Sequence, residues 1–422
     1  MPLEKPKLFP QRKTFIWFCV ALLVLIMIRL LFSYLSYKEF IEKPFYYTNA
    51  TVVTAYEKVK GNRRYQVLKL RSDDGFVFYT TSYSKENFDH ARLRLQIFPD
   101  KSISFQEYLG TFYVKSKIKN HEKLPKTFKD TLLEEIALQH DDITLKSFYN
   151  AIFFATPLDK TLREKISMLG VSHLVALSGF HLSILWGMVY GLLLFFYRPF
   201  QQHYFPYRHA LFDVGLVAMI FLGIYLWFVD FPPSLVRSYA MVLVGWVVLL
   251  LGIELLSFTF LATILLMLVV LFPSLLVSLS FQLSAAGVFY IFLLLKYAKG
   301  INEWVISLLL IPLGIFILML PIVHGIFGVT NPYQLLSPIL SLMFIPFYPL
   351  AMVAHLFGFG GIGDSLLLWL FALPAESREI ILEEWAVGCY IGLSLLAIGN
   401  RNVFYAVVAL SGLYMVYLFL FV

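Results

Sequence analysis

Residues 303–322 read EWVISLLLIPLGIFILMLPI, with Glu303 as the single charged side chain. At about 1.5 Å per residue, a helix of about 20 such residues crosses the roughly 30 Å hydrocarbon core of a bilayer. Working outward, comparable runs lie near 173–197, 211–230, 234–253, 257–272, 276–296, 335–357 and 403–422, with shorter ones near 365–374 and 385–399. The composition agrees: of 422 residues, 59% are hydrophobic and 14% charged, and the mean hydropathy is +0.74. Soluble domains carry about 25% charged residues. A water-soluble fold of this size could not cover its surface, so the chain reads as a mainly α-helical, polytopic membrane bundle. Its net charge of +7 suits an anionic partner, for which anionic lipid suffices. Cys19 and Cys389, both in apolar segments, read as lone buried thiols rather than a disulfide.

At the N-terminus, Lys5, Lys7, Arg12 and Lys13 precede an apolar run from Thr14 to Leu35. That run is long for a signal peptide, and the stretch from Ser33 to Tyr37 is a poor cleavage site. Residues 1–39 are therefore an N-terminal tail and retained anchor helix, with the N-terminus in the cytoplasm.

Residues 40–125 break the apolar pattern. Arg92-Leu93-Arg94-Leu95-Gln96-Ile97 alternates, and Phe112, Val114, Ser116 and Ile118 alternate with Tyr113, Lys115, Lys117 and Lys119. Period two with one apolar face means half-buried strands. Asp74-Gly75, between Val67–Leu70 and Phe76–Tyr79, is a hairpin turn signal. Several short strands predict a small extracytoplasmic β-barrel of OB-like type. Lys69, Arg71, Arg92, Arg94, Lys115, Lys117 and Lys119, with Phe78, Tyr79 and Tyr113, are its candidate contacts to single-stranded nucleic acid. Aromatic rings stack bases while cations follow phosphates. An ordinary solvated face would carry the same residues.

Residues 126–171 are amphipathic. Leu132, Leu133, Ile136 and Ala137 share a face, and Glu134, Glu135, Asp141 and Asp142 are polar, which predicts interfacial helices. Pro157 interrupts them, and Asp159 to Gly170 forms another short helix. In the body from 172 to 422, Arg198, Arg208, Lys296, Lys299 and Arg401 fall on one side if the runs alternate. That alternation requires the 365–374 run to cross or re-enter.

Polar side chains inside the spans are the candidate functional residues, because at that depth they cost free energy unless paired or facing a cavity. Within Leu169–Leu182 stand His173, Ser178, Gly179 and His181. On an unbroken helix the two histidines would lie some 80° apart, and Gly179 would admit a close neighbour. In Asp230-Phe231-Pro232-Pro233-Ser234-Leu235-Val236-Arg237 the prolines end one helix and start the next, with Ser234 available as a cap. Arg237 then snorkels outward, pairs with Asp230 or faces a phosphate path. Gln282 and Ser284 are polar within Phe281–Gly287, and the stretch from Asn331 to Pro338 predicts a re-entrant turn. Interhelical hydrogen bonding or a lined pore would use all of these residues.

Taken in this order, the segments resemble the competence domain of ComEC-type DNA-uptake channels of natural transformation. Gly170, His173, Ser178, Gly179 and His181 match the family's Gly-then-His entry to Ser-Gly-x-His. Pro232 to Arg237 matches Pro-x-Ser-x-x-Arg, Phe281 to Ser284 matches Phe-Gln-Leu-Ser, and Asn331 to Pro346 matches a Pro-interrupted segment. The likeness covers about 150 to 350 and fades after about 360. Two departures stand out. Ala155-Thr156-Pro157, with Asp159 beyond, replaces the usual Gly-acidic pair, and none of the nine histidines forms the His-x-His of the longer members' metallo-β-lactamase-like domain. The chain resembles a short member without that domain.

The resemblance implies a multi-pass channel of the bacterial inner membrane that imports single-stranded DNA and is not an enzyme. His173, Ser178, Gly179, His181, Arg237, Gln282 and Ser284 would line the route, and Pro232, Pro233, Asn331 and Pro332 would shape it. No Gly-x-x-x-x-Gly-Lys-Ser/Thr nucleotide motif is present, so no cofactor or metal is expected and the driving force comes from elsewhere. The expected partners are single-stranded DNA, membrane lipids, an extracytoplasmic DNA receptor, a cytosolic motor or strand-binding protein, and further copies of the chain. A small-molecule or lipid transporter is the alternative. An intramembrane hydrolase using Ser178 with a histidine would lack a Gly-x-Ser-x-Gly elbow and a nearby acid.

Overall fold

A computed structural model describes residues 8, 9, 11–60, 63–84, 86, 88, 90–250, 257–373 and 376–421. Lys5, Lys7 and the end of the run near 234–253 lie outside the described residues. Where the sequence is apolar the chain is helical, as it must be where lipid offers backbone amides and carbonyls no partner. Among the described residues seven helices are long and apolar enough to cross a bilayer: Arg12–Glu42, Gly179–Tyr204, Ala210–Phe228, Leu279–Tyr297, Glu303–His324, Pro332–Leu356 and Arg401–Leu420. Shorter apolar helices cover Ser234–Leu250, Phe258–Leu271, Gly360–Ala372 and Glu384–Leu396. The molecule is a mainly α-helical, multi-pass membrane protein. Both cysteines are free, and Cys389 is exposed rather than buried as expected.

The chain sorts into two units, Gln11–Phe128 with Ala262–Phe281, and Lys129–Leu261 with Gln282–Val422. In the first, six strands form one sheet: β1 Tyr46–Lys60, β2 Arg63–Ser72, β3 Val77–Ser82, β4 Ala91–Phe98, β5 Phe112–Tyr113 and β6 Lys115–Lys123. Their order is β5-β3-β2-β1-β4-β6. The expected OB-like barrel is therefore corrected to an open sheet. Closing a barrel needs a ladder all the way round. Here β5 offers a pairing of two positions to β3, and β6 pairs with β4, so the order ends on β5 and β6. Exposed lysines at 115, 117 and 119 on β6 are the usual means of keeping an edge unpaired. The inner face buries Leu68, Leu70, Phe78, Leu93, Leu95, Ile97 and Phe112 against Phe40 of the Arg12–Glu42 helix. Asp74-Gly75 does turn β2 into β3, with Gly75 at φ +90°.

In the second unit the amphipathic stretch forms helices Phe128–Leu138, Ile143–Phe154 and Lys160–Met168, the last capped by Asp159. Leu145, Phe148, Tyr149, Ile152 and Phe153 are buried with residues of the membrane helices, so this stretch contributes to the core. The run near 365–374 becomes the nine-residue helix Asp364–Ala372, about 14 Å long and under half a bilayer core.

Candidate functional site

The expected continuous helix through both histidines is broken. Ser172–Val175 forms a single turn, the chain opens at Ala176–Ser178, and Gly179–Tyr204 starts afresh with Ser178 as its N-cap. The break gives His181 a task. Its Nδ1 accepts from the Ser178 backbone N–H at 3.3 Å, which leaves the hydrogen on Nε2. Among the described residues that Nε2 has no hydrogen-bond partner, and the ring stands nearly perpendicular to those of Phe344 and Tyr348, with centroids 5.1 and 4.9 Å away. Ser341 Oγ donates to Ser337 O at 2.7 Å, so it accepts from His173 Nε2 at 3.2 Å. His173 and Ser172 are exposed, whereas Leu174 and Val175 beside them are buried.

Neighbouring segments close on this break. Gly170, at φ +69°, lets its carbonyl accept from Ser337 Oγ at 3.0 Å. A Cβ at Gly179 would stand 3.0 Å from Ser238 Oγ, so the bare glycine admits the Pro233–Leu250 helix. Ser234 was expected to cap that helix. It lies inside the first turn instead, and its Oγ donates to Leu177 O at 2.8 Å, inside the break. Ahead of Pro232, Asp230 and Phe231 both take positive φ, 65° and 51°, the cost of reversing the chain against two prolines. Asp230 pairs with Lys129 at 2.6 Å, and Arg237 stays buried at 4% exposure rather than snorkelling. Asn331 caps the turn Pro332–Leu336, accepting from Tyr333 N at 2.8 Å, and Gln334 Nε2 donates to Val329 O.

His173, Ser178, Gly179 and His181 are thus gathered with Ser234, Ser238, Ser337 and Ser341. Gln282 and Ser284 are placed differently: their helix, Leu279–Tyr297, buries Tyr290, Leu293 and Leu294 in a separate core with Leu318, Tyr390 and Phe404. Nucleophilic chemistry is a poor match to the cluster. Ser178 Oγ is 3.4 Å from His181 Nδ1, which already accepts an amide, and no acid orients His181 Nε2.

In the first unit, cross-strand register gathers a second site on the outer face of the sheet. Lys58 pairs with Tyr65, Tyr56 with Val67, Lys69 with Tyr79, and Tyr79 with Tyr113. Directly opposed residues share a face. Tyr56, Lys58, Tyr65, Tyr79, Thr81 and Tyr113, with Val67, line an open groove of about 320 Å³. Lys69 Nζ sits 5.7 Å from the Tyr79 ring centre, and partial burial, then the Arg71 charge, push its ammonium below the ordinary range. Sequence reading found Lys69 and Tyr79 but missed Tyr56, Lys58 and Tyr65, whose alternation on long β1 was the available signal. Phe78, expected beside them, is fully buried and stacks on Phe112 at 5.9 Å. Arg71 and Arg92 both flank Thr51, and Arg92 pairs with Asp73 at 2.5 Å. Arg94, Lys117 and Lys119 lie on the β4–β6 pair beyond β1, whereas Lys115 follows groove-lining Tyr113 by two residues, beside β3, where Ser116 Oγ meets Thr80 Oγ1 at 2.7 Å.

The family model described as Competence protein matches residues 155–421. The chain belongs to the competence protein family. This competence protein is also 28% identical over 271 residues, 62% of its own length, to a protein of Aquifex aeolicus (strain VF5) described as uncharacterized. It spans 58% of that relative. No solved structure matches it.

Proposed function

We propose that this competence protein is a channel of the bacterial cytoplasmic membrane that imports single-stranded DNA during natural transformation. A polyanion cannot enter hydrocarbon, so it needs a receiving surface in water and a polar path beyond it. The observation that carries the reading is the groove on the sheet. Four tyrosines, Tyr56, Tyr65, Tyr79 and Tyr113, supply platforms, and Lys58 and Lys69 supply charge between them. Stacking of bases on aromatics contributes about 1–3 kcal/mol per base without regard to sequence. A phosphate beside Lys69 would also relieve the repulsion from Arg71. In the membrane unit, the break at Ala176–Ser178 with exposed His173 supplies polar groups for the path, and Arg237 adds a cation.

Deleting the gene should abolish transformation while DNA still binds the cell surface. Replacing Tyr79 and Tyr113 together by alanine, at unchanged membrane abundance, should lower uptake of labelled DNA at least about fivefold, the loss of roughly one stacked base. Normal transformation without the gene would end the proposal and return the chain to the small-molecule or lipid transporters.

A further inference from the structure

His140 lies more than two hundred positions before His355 and Asp364, yet the three meet in one line of hydrogen bonds inside the membrane unit. His140 follows the Phe128–Leu138 helix, His355 ends the Ser337–Leu356 helix, and Asp364 begins Asp364–Ala372. None of the sequence motifs includes them. Both histidines are buried, at 3% and 7% exposure.

The hydrogens in this line can be counted. A carbonyl only accepts, so His355 Nδ1 donates to Ala351 O at 2.7 Å. Asp364 oxygens stand 2.9 and 3.0 Å from His140 Nδ1, and an ionised carboxylate also only accepts. With both Nδ1 atoms donating, two neutral rings would present bare lone pairs to each other across 2.9 Å, Nε2 to Nε2. Buried lone pairs do not rest in that arrangement. One more proton between them makes an ordinary N–H···N bond. Moving the Nδ1 proton onto Asp364 leaves the total unchanged.

We propose that His140, His355 and Asp364 form a proton-binding site that holds one proton more than two neutral imidazoles and a carboxylate. The proton fastens the amphipathic helices to the end of the Ser337–Leu356 span. Tyr149 stacks on His140 at 4.4 Å and 7°, presenting its π face, and Asp364 balances the charge. The other titratable groups nearby are Asp141 and Asp142, next in sequence, of which Asp142 accepts from Thr144 N. Asp364 retains 22% side-chain exposure, which gives the proton a way in. A metal ion suits the site less well. Tetrahedral zinc at about 2.0–2.1 Å from each nitrogen would hold the nitrogens about 3.3 Å apart. A Cβ on Gly360 would stand 2.6 Å from both His355 Nε2 and Gln139 Oε1, so Gly360 packs closely on the His355 ring. Among the described residues no group of three or more His, Cys, Asp or Glu is placed to hold a metal. The sign follows from the count: the fastening is complete while the proton is bound and is lost as pH rises through its release.

The test uses the full chain in lipid nanodiscs with ¹⁵N-labelled histidine, read by solid-state NMR at pH 8, where exposed histidines, with an ordinary value of about 6.5, are neutral. One doubly protonated ring per chain is expected. It should vanish in both His140→Gln and His355→Gln, and in Asp364→Asn it should lose its proton at lower pH. All rings neutral in the parent protein together with an ionised Asp364 carboxyl by its ¹³C shift, a signal that survives both histidine substitutions, or zinc co-purifying at one per chain would each overturn the proposal. None of these readouts involves DNA, so they are independent of the channel reading.

Discussion

Gly170 stands at φ +69°, and a Cβ there would lie 3.3 Å from Gln334 Cγ, whereas Gly187, inside the Gly179–Tyr204 helix, has nothing within 4 Å. The residue type is the same and the demands differ. Alanine at 170 meets left-handed strain of about 1–2 kcal/mol and a neighbour that must yield. Alanine at 187 adds a methyl to open space inside a helix, where alanine is favoured over glycine by about 0.5–1 kcal/mol. Thermal unfolding in nanodiscs should therefore show Gly170→Ala clearly lowered and Gly187→Ala unmoved or raised. Equal shifts would mean that Gly170 is not fixed against Gln334 and Ser337. At this scale the sequence was informative about identity and silent about partners. It singled out His173, Ser178 and His181 because polar atoms are rare in apolar runs. It could not find His140 and Asp364, which sit in polar stretches where nothing marks them, nor show that Phe78 points inward while Tyr79 points out.

Among elements, the break between Ser172–Val175 and Gly179–Tyr204 depends on a borrowed hydrogen bond, Ser234 Oγ to Leu177 O. Helical carbonyls have their own partners, but one in a break does not. Ser234→Ala should cost between about 0.6 and about 1.7 kcal/mol, the measured range for bonds between membrane helices. Ser183→Ala, which removes a bond to Gly179 O within one helix, should cost almost nothing. Unfolding of the two variants side by side decides this, and equal losses would place the support of the break elsewhere. The apolar runs announced these helices because length and hydropathy are properties of the run itself. The break was hidden, because Ala176, Leu177 and Ser178 are all compatible with helix and the bond that holds Leu177 O comes from Ser234, distant in sequence. Strands were legible for the matching reason: period two in Arg92–Ile97 is local. Closure of the sheet is not local, and the expectation of a barrel failed there, on how β5 and β6 pair.

Over the whole molecule, crossing number and charge must agree. If Arg12–Glu42 starts in the cytoplasm, the sheet lies outside and Gly179–Tyr204 returns the chain inward, which places Arg208 inside. Between Arg208 and Lys299 lie Ala210–Phe228, Pro233–Leu250, Phe258–Leu271 and Leu279–Tyr297. Lys299 is inside if all four cross and outside if one of them does not. Phe258–Leu271 has 14 residues, about 21 Å, so it crosses only where flanking residues or a thinned bilayer make up the remainder. Basic residues at both loops, Arg198 and Arg208 against Lys296 and Lys299, favour the full set of crossings. With Cys19 and Cys389 replaced by serine, single cysteines at Lys58, Arg208 and Lys299 can be probed in intact cells with an impermeant maleimide. Lys58→Cys should label at once, and Arg208→Cys and Lys299→Cys only after permeabilisation. Labelling of Lys299→Cys alone among the inner pair would make Phe258–Leu271 a re-entrant helix and leave the channel proposal standing. Protection of Lys58→Cys would put the tyrosine groove in the cytoplasm, where it could not receive incoming DNA, and the sheet would need another role.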